Sequence, residues 1–276
     1  MPEPILFEKP TLKALLHPAC IETTVVSLTR VGSISGPDKP LWLLDLAMPN
    51  RSRWRPGQFV MLRPASWGFE PLWARPFSIC MAEGGVLRVF FQEVGRGTAA
   101  LTKIRSGETV VMWGPLGNGF AVKPHTPTLL LAGGIGLAPF IGYARAHPTL
   151  ESLHLILGHR QDKSCYPLNL LPAGLSREVL RQETEADLQS FVRHLEEIIQ
   201  AYSARDSLVL VCGPHPFLRV VHGLVLKHGV MTQLSLENRM ACGVGACLGC
   251  VVEAVQGPPL RVCAQGPVFW ATDVKF

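Results

Sequence analysis

The sequence predicts a multi-domain β plus α/β protein, and three observations carry that reading. Short runs of β-forming residues separated by turn residues fill the chain to about Val122. Beyond Lys123-Pro124-His125-Thr126-Pro127, strand and helix patterns alternate, as in a parallel α/β unit. Four of the eight cysteines then crowd the C-terminal end. A chain of 276 residues exceeds the roughly 100–200 of a single domain. The expected division is an N-terminal arm over 1–20, an antiparallel β-barrel over 21–124, an α/β domain over 125–235 and a cysteine segment over 236–276.

The first half contains the strand candidates Thr23–Leu28, Leu41–Leu46, Gln58–Leu62, Val86–Phe91 and Thr109–Met112. Gly36-Pro37-Asp38-Lys39-Pro40, Arg55-Pro56-Gly57 and Glu83-Gly84-Gly85 punctuate them as turns. Strands at this spacing suit a small barrel. In the second half Thr128–Ala132 reads as a buried strand, followed by glycines and a helix over Leu137–Ala146. Leu153–Leu157 is a further apolar run. Leu188, Phe191, Val192, Leu195, Ile198 and Ile199 recur at helical spacing, giving one buried stripe. Leu208–Val211 is another strand and Pro216–Lys227 another helix.

Composition excludes several classes. Hydrophobic residues make up 47% and charged residues 17%, the latter against roughly 25% in an average soluble domain. The chain is too apolar for disorder. Its net charge of +5 is small and scattered, which argues against nucleic acid as a partner. The longest apolar stretch, Leu129–Ala144, is interrupted by Gly133, Gly134, Gly136 and Pro139 and is too short to span a membrane. Glu3, Glu8 and the early prolines do not suit a signal peptide, so the expectation is a cytoplasmic protein with no membrane association.

Cys242-Gly243-Val244-Gly245-Ala246-Cys247-Leu248-Gly249-Cys250, with Cys263 beyond it, is the strongest chemical signal. This C-x4-C-x2-C spacing with a distant fourth cysteine is the plant-type [2Fe–2S] pattern. Four thiolates must converge there, and the interspersed glycines let backbone amides approach the sulfurs. The competing reading is a four-cysteine zinc site, which usually shows paired knuckles.

Two further signals are weaker alone. Gly133, Gly134 and Gly136, with Pro139, end a strand and open a helix, as where a dinucleotide pyrophosphate approaches a backbone; packing turns look the same. Cys212-Gly213-Pro214 ends the later strand, on the edge where ligands bind in open α/β sheets. Arg75-Pro76-Phe77-Ser78 offers a guanidinium that can clamp a phosphate, and the Gly95-Arg96-Gly97-Thr98 turn offers amides and a hydroxyl.

In this order, these motifs resemble the ferredoxin-reductase-like electron-transfer subunits of type 1B dihydroorotate dehydrogenase. The likeness runs from about Glu22 to Phe269. Its most specific part is Glu237-Asn238-Arg239-Met240-Ala241-Cys242 through Cys250, then Cys263 and Gly266-Pro267-Val268-Phe269. The resemblance implies FAD on the barrel, a nicotinamide nucleotide on the α/β domain and a [2Fe–2S] cluster at the C-terminus. By this likeness Arg75, Pro76, Phe77 and Ser78 line the flavin, with Gly95, Gly97 and Thr98 near its pyrophosphate. The Gly133–Pro139 loop and Cys212-Gly213-Pro214 frame the nucleotide cleft, and Cys242, Cys247, Cys250 and Cys263 ligate the cluster.

The implied activity is electron transfer in pyrimidine biosynthesis, from the FMN of a dihydroorotate dehydrogenase catalytic subunit, in a heterotetramer, through the cluster and FAD to NAD+. A flavin can join one-electron to two-electron chemistry. The alternatives are an NAD(P)H-dependent reductase serving another redox enzyme and a zinc-stapled scaffold without enzymatic activity. Two departures from the family stand out: the stretch Arg181–Asp187 has no glycine, and Gln265 stands where the family usually has Asp. In Gly158–Lys163, Arg160 argues for NADP and Asp162 for NAD; the resemblance favours NAD.

Overall fold

The computed structural model describes residues 19–32, 39–48 and 54–276. Nearly all of the expected arm over 1–20, and most of the turn over 36–40, lie outside them.

Six antiparallel strands close a barrel: β1 (Ala19–Val31), β2 (Leu41–Ala47), β3 (Phe59–Pro64), β4 (Arg75–Glu83), β5 (Val86–Gln92) and β6 (Thr109–Leu116), in the order β1-β2-β5-β4-β3-β6. Closure leaves no free edge. The inward residues Val25, Leu44, Leu46, Val60, Leu62, Ile79, Leu87 and Val89 are buried. Asp45 on β2 sits opposite Arg88 on β5 and accepts a bidentate pair from it, both bonds at 2.6 Å. β4 carries the Arg-Pro-Phe-Ser motif and shows no clear alternation in sequence; its pairing with β3 and β5 makes it a strand.

The second sheet has six strands in the order β14-β11-β10-β7-β8-β9. β7 (Thr128–Gly133) and β10 (Leu208–Cys212) are buried along their whole length, which suits central parallel strands covered on both faces. β8 (Leu153–His159) and β9 (Ser176–Arg181) extend one side, β11 (Thr232–Ser235) the other. Sequence patterning misses β9 and β11. β9 is a polar edge strand, and the polar groups of β11 are buried but paired: Thr232 donates to the Val230 carbonyl, and the Gln233 side chain accepts from Ala121 N at 2.8 Å. β14 (Val268–Trp270) runs antiparallel to β11, so the chain returns to this sheet after the cysteine segment.

A 3-10 turn over Gly134–Leu137 leads into α2 (Ala138–Ala146), after the short α1 (Arg96–Leu101) of the barrel. α3 (Glu185–Ser203) buries Phe191, Leu195 and Ile199 from the expected stripe. Its N-terminus is a capping box between Thr184 and Asp187, so the glycine-free stretch ends as an ordinary helix cap. α4 (His215–His228) stops at Gly229, which has φ +65°.

α2 packs directly on β4. A Cβ on Gly142 would lie 2.7 Å from the Cys80 carbonyl oxygen, so only glycine permits this approach. Arg145 grips Glu83 across the same contact, with bonds of 2.9 and 2.7 Å. None of the helices among the described residues is long and apolar enough to cross a membrane.

Candidate functional site

The cysteine segment is built on loops, with a two-stranded ladder of β12 (Val251–Val252) and β13 (Leu260–Arg261) followed by α5 (Val262–Gln265). Its four thiols stand as two pairs. Cys250 and Cys263 are buried, with their sulfurs 3.2 Å apart. Cys242 is half-buried and Cys247 exposed, and Cys247 N donates to the Cys242 sulfur at 3.4 Å. Among the described residues no three Cys, His, Asp or Glu side chains gather about one point as a single metal ion needs. Two thiol pairs suit the two irons of a [2Fe–2S] centre, each held by two cysteines.

Backbone amides point at the sulfurs. Val244 N reaches Cys242 at 3.5 Å, Gly245 N reaches Cys263 at 3.1 Å, Gly249 N reaches Cys247 at 3.5 Å and Cys263 N reaches Cys250 at 3.4 Å. The loop needs left-handed backbone at Gly243 (φ +70°) and Gly245 (φ +82°), and also at Leu248 (φ +58°). A leucine there carries local strain of the kind found at functional loops. Burial pushes the Cys242 thiol up, but the amides of Cys247, Val244 and Ala246 outweigh it and bring the thiol down to about 6. Burial, then the neighbouring Cys250 thiol, push Cys263 up to about 12. The outer thiol is thus the more acidic of the two. Gln265, the departure noted above, accepts from Arg261 N at 2.9 Å and braces the loop from behind.

The segment is fastened to the barrel. Asn118 Nδ2 donates to the Val268 carbonyl at 2.7 Å, and Asn118 Oδ1 accepts from Val268 N at 3.0 Å. A Cβ on Gly243 would lie 2.7 Å from Met61 Cγ and 3.2 Å from Trp113 Nε1. Met61 on β3 pairs with Pro76 on β4. The cysteine loop and the Arg-Pro-Phe-Ser motif thus share one stretch of barrel wall. Met61, Trp113 and Asn118 carry no motif of their own, and sequence reasoning missed them.

The structure brings the two barrel motifs together. Arg75 Nη1 donates to the carbonyls of Trp73 at 2.6 Å and Ala74 at 3.2 Å, and its guanidinium lies against Gly97. Thr98 Oγ1 accepts from Val94 N at 2.8 Å and Gly95 N at 3.0 Å, so this hydroxyl holds the turn. Pro76 and Ser78 are half-buried, whereas Phe77 points into the barrel core, edge-on to Phe91.

At the carboxyl edge of the second sheet, Gly133, Gly136 and Gly213 serve a backbone-to-backbone contact between the ends of β7 and β10. A Cβ on Gly136 would lie 2.7 Å from Gly213 N; one on Gly213 would lie 2.9 Å from the Gly133 α-carbon. Gly134, at φ +53°, meets no backbone; a Cβ there would touch only the Tyr166 hydroxyl, at 3.8 Å. Pro139 and Cys212 are buried behind this edge, and Pro214 precedes α4. Burial pushes the Cys212 thiol up, so it is a neutral wall group rather than a nucleophile. After β8, the Asp162 carboxylate caps Ser164 N at 2.9 Å, while Arg160 is exposed.

Residues 237–275 match the family described as the iron-sulfur cluster binding domain of dihydroorotate dehydrogenase B. The chain is 31% identical over 224 residues to the dihydroorotate dehydrogenase B (NAD(+)) electron transfer subunit of Caldanaerobacter subterraneus, covering 80% of this chain and 87% of the relative. The Geobacillus kaustophilus subunit of the same name is 33% identical over 229 residues, covering 80% and 86%. Among solved structures, that of the NADH-dependent reduced ferredoxin-NADP oxidoreductase superposes with a TM-score of 0.72 at 22% identity, covering 92% of this chain and 89% of the other. Ferredoxin-NADP+ reductase of Plasmodium falciparum reaches a TM-score of 0.62 at 14% identity, covering 79% and 92%. Those two likenesses establish a reductase-like fold. With relatives above 30% identity spanning most of both chains, this chain belongs to the family of dihydroorotate dehydrogenase B electron transfer subunits.

Proposed function

We propose that the chain carries electrons between a dihydroorotate dehydrogenase catalytic subunit and NAD+, holding a [2Fe–2S] cluster and FAD. One observation carries this reading: the cysteine loop and the Arg-Pro-Phe-Ser strand meet on the same barrel wall, through Met61. When bound, the flavin supplies the exchange between two-electron nicotinamide chemistry and one-electron cluster chemistry.

The chain's own residues then have separable tasks. Cys242, Cys247, Cys250 and Cys263 hold the irons, and the amides of 244, 245, 247, 249 and 263 spread negative charge away from the sulfurs. Arg75 neutralises the flavin phosphates, with Gly95, Gly97 and Thr98 shaping the turn beside it. Pro76 and Ser78 line the flavin face, and Phe77 stiffens the strand from inside the core. Gly134, which packs on no backbone, is where the nucleotide approaches the loop, and Gly133, Gly136, Pro139, Cys212, Gly213 and Pro214 build the frame of the cleft.

The catalytic partner, an FMN-containing subunit in a heterotetramer, docks over the cysteine loop. Val244, Leu248, Val251 and Val255 are exposed apolar residues there, beside the exposed Cys247. Anaerobic purification, metal and sulfide analysis, and activity assays test the reading. The expected protein is brown, with about two irons and two sulfides per chain as this cluster type requires. It passes electrons from NADH to artificial acceptors but oxidises dihydroorotate only with its partner. Stoichiometric zinc without sulfide, or dihydroorotate oxidation by the chain alone, overturns it.

A further inference from the structure

We propose that the indole of Trp73 is the platform on which the adenine of FAD stacks; this rests on the flavin assignment above. Trp73 lies in the loop over 65–74 between β3 and β4, two residues before Arg75. It is 56% exposed, and among the described residues no hydrophobic cluster takes it in. The loop that carries it is nevertheless fixed. Arg63 donates to the Leu72 carbonyl at 3.0 Å and to the Trp67 and Gly68 carbonyls, both at 2.7 Å. Arg75 Nη1 donates to the Trp73 carbonyl at 2.6 Å, so the phosphate clamp and the indole share one anchor. Arg96 of the glycine turn faces Glu70 of the same loop at 3.6 Å.

The order of residues along the chain selects the occupant. Followed backwards from Ser78, β4 presents the half-buried Ser78 and Pro76, then Arg75 against Gly97, and the loop then presents Trp73. FAD has the matching order of isoalloxazine, diphosphate and adenosine. Two residues reach at most about 7 Å, so the indole starts beside the phosphate clamp. Adenine offers a flat π face on a polar tether, and an aromatic side chain stacks on such a face without reading its edge. A rigid, exposed indole next to a cation preorganised for phosphate has the two features an adenosine diphosphate end requires. Trp73 thereby favours FAD over FMN, which ends at its single phosphate.

The test titrates the full chain, stripped of flavin, with FAD and separately with FMN. It compares wild type, Trp73→Ala, Trp73→Phe and Phe69→Ala, the last an exposed aromatic of the same loop. Trp73→Ala is expected to lose roughly 5–150-fold in FAD affinity, the range for one base stacked on an aromatic, with FMN affinity unchanged. Trp73→Phe should recover part of that loss, and Phe69→Ala should bind FAD as wild type does. Equal FAD affinity in wild type and Trp73→Ala overturns the proposal. So does an equal loss for FAD and FMN, which would assign the ring to the loop and not to adenine. A Trp73→Ala protein that keeps FAD but releases the catalytic subunit would make the ring a protein contact instead. Should Trp73→Ala fail to fold, wild type labelled with fluorotryptophan decides. Its Trp73 signal, identified by its loss in Trp73→Phe, shifts on adding ADP if adenine stacks there; an unmoved signal refutes the stack. Wild type that binds neither flavin would instead refute the proposed function.

Discussion

The guanidinium of Arg75 covers the α-carbon of Gly97: a methyl group on residue 97 would lie 2.9 Å from Arg75 Cζ and 3.0 Å from Nη2. Two short motifs of the sequence are thereby joined into one site, a cation held over a glycine turn. Arg75 is anchored by the Trp73 and Ala74 carbonyls, so its remaining nitrogens are preorganised for a phosphate.

Gly97→Ala is expected to displace that guanidinium and weaken FAD retention while the barrel stays folded. Arg75→Ala removes the clamp itself; a charge-assisted pair of about 1.5–3 kcal/mol corresponds to roughly 10–100-fold in affinity. Gly223→Ala on α4 is the control, since it lies outside the flavin site and no atom lies within 4 Å of its added methyl. Titrating apoprotein with FAD measures all three. Equal affinities for wild type and Arg75→Ala would remove Arg75 from the flavin site.

Serine at any of the four cluster cysteines should abolish stoichiometric iron and sulfide. The inner pair should differ in a second respect. Cys250→Ser and Cys263→Ser place a hydroxyl in a buried apolar setting, an added cost of about 1–3 kcal/mol that lowers the Tm of the metal-free protein. Cys247→Ser, at an exposed position, should leave that Tm unchanged. Cys20→Ser and Cys165→Ser should keep iron and sulfide at wild-type levels.

Glycine substitutions at the nucleotide edge should separate folding from binding. Gly136→Ala drives a methyl into the Cys212–Gly213 backbone, and overpacking of this kind costs roughly 1–3 kcal/mol. Gly134→Ala meets no backbone, but its φ of +53° adds about 1–2 kcal/mol of strain. Urea unfolding together with NADH binding distinguishes them: Gly136→Ala should lose mainly stability, Gly134→Ala should also lose NADH affinity.

The Arg145–Glu83 contact between α2 and the barrel gives a pH dependence of known sign. The Arg145 hydrogen bonds hold the Glu83 carboxyl below its ordinary value. A carboxyl with a depressed folded pKa stabilises the native state above the unfolded value near 4.5 and loses that contribution as pH falls through the folded value. Wild type should therefore lose more of its urea midpoint than Glu83→Gln on acidification below pH about 4.5. The difference is small, because solvent reaches both side chains and screens the pair. Parallel pH profiles of the two proteins would remove the pair from the interface.

NADH should be preferred to NADPH with an artificial acceptor, as judged by kcat/KM. Asp162→Ala should change that preference little, because its carboxylate caps Ser164. An NADPH preference that collapses in Arg160→Ala would assign the exposed guanidinium to a 2′-phosphate.

Much of this protein is written locally. The cysteine spacing marks the cluster segment, and the α3 stripe of Phe191, Leu195 and Ile199 follows from helical periodicity. The buried strands β7 and β10 announce themselves as continuous apolar runs. Other elements depend on their neighbours. β9 is polar because it lies at an edge, β11 hides paired polar groups, and β14 is a strand because β11 offers it a free ladder.

What the sequence by itself determined is residue chemistry and period: which thiols share a loop, where glycines permit turns, and which faces are apolar. Only the tertiary structure decided what each glycine is for. Gly136 and Gly213 are consumed in packing two strand ends together, Gly97 admits a guanidinium, and Gly243 rests on Met61 and Trp113. Those partners lie far apart in the chain, and they meet because the barrel closes and the C-terminal strand returns to the second sheet. Local propensity sees a few residues at a time, whereas close packing is settled among all the surfaces that meet at once.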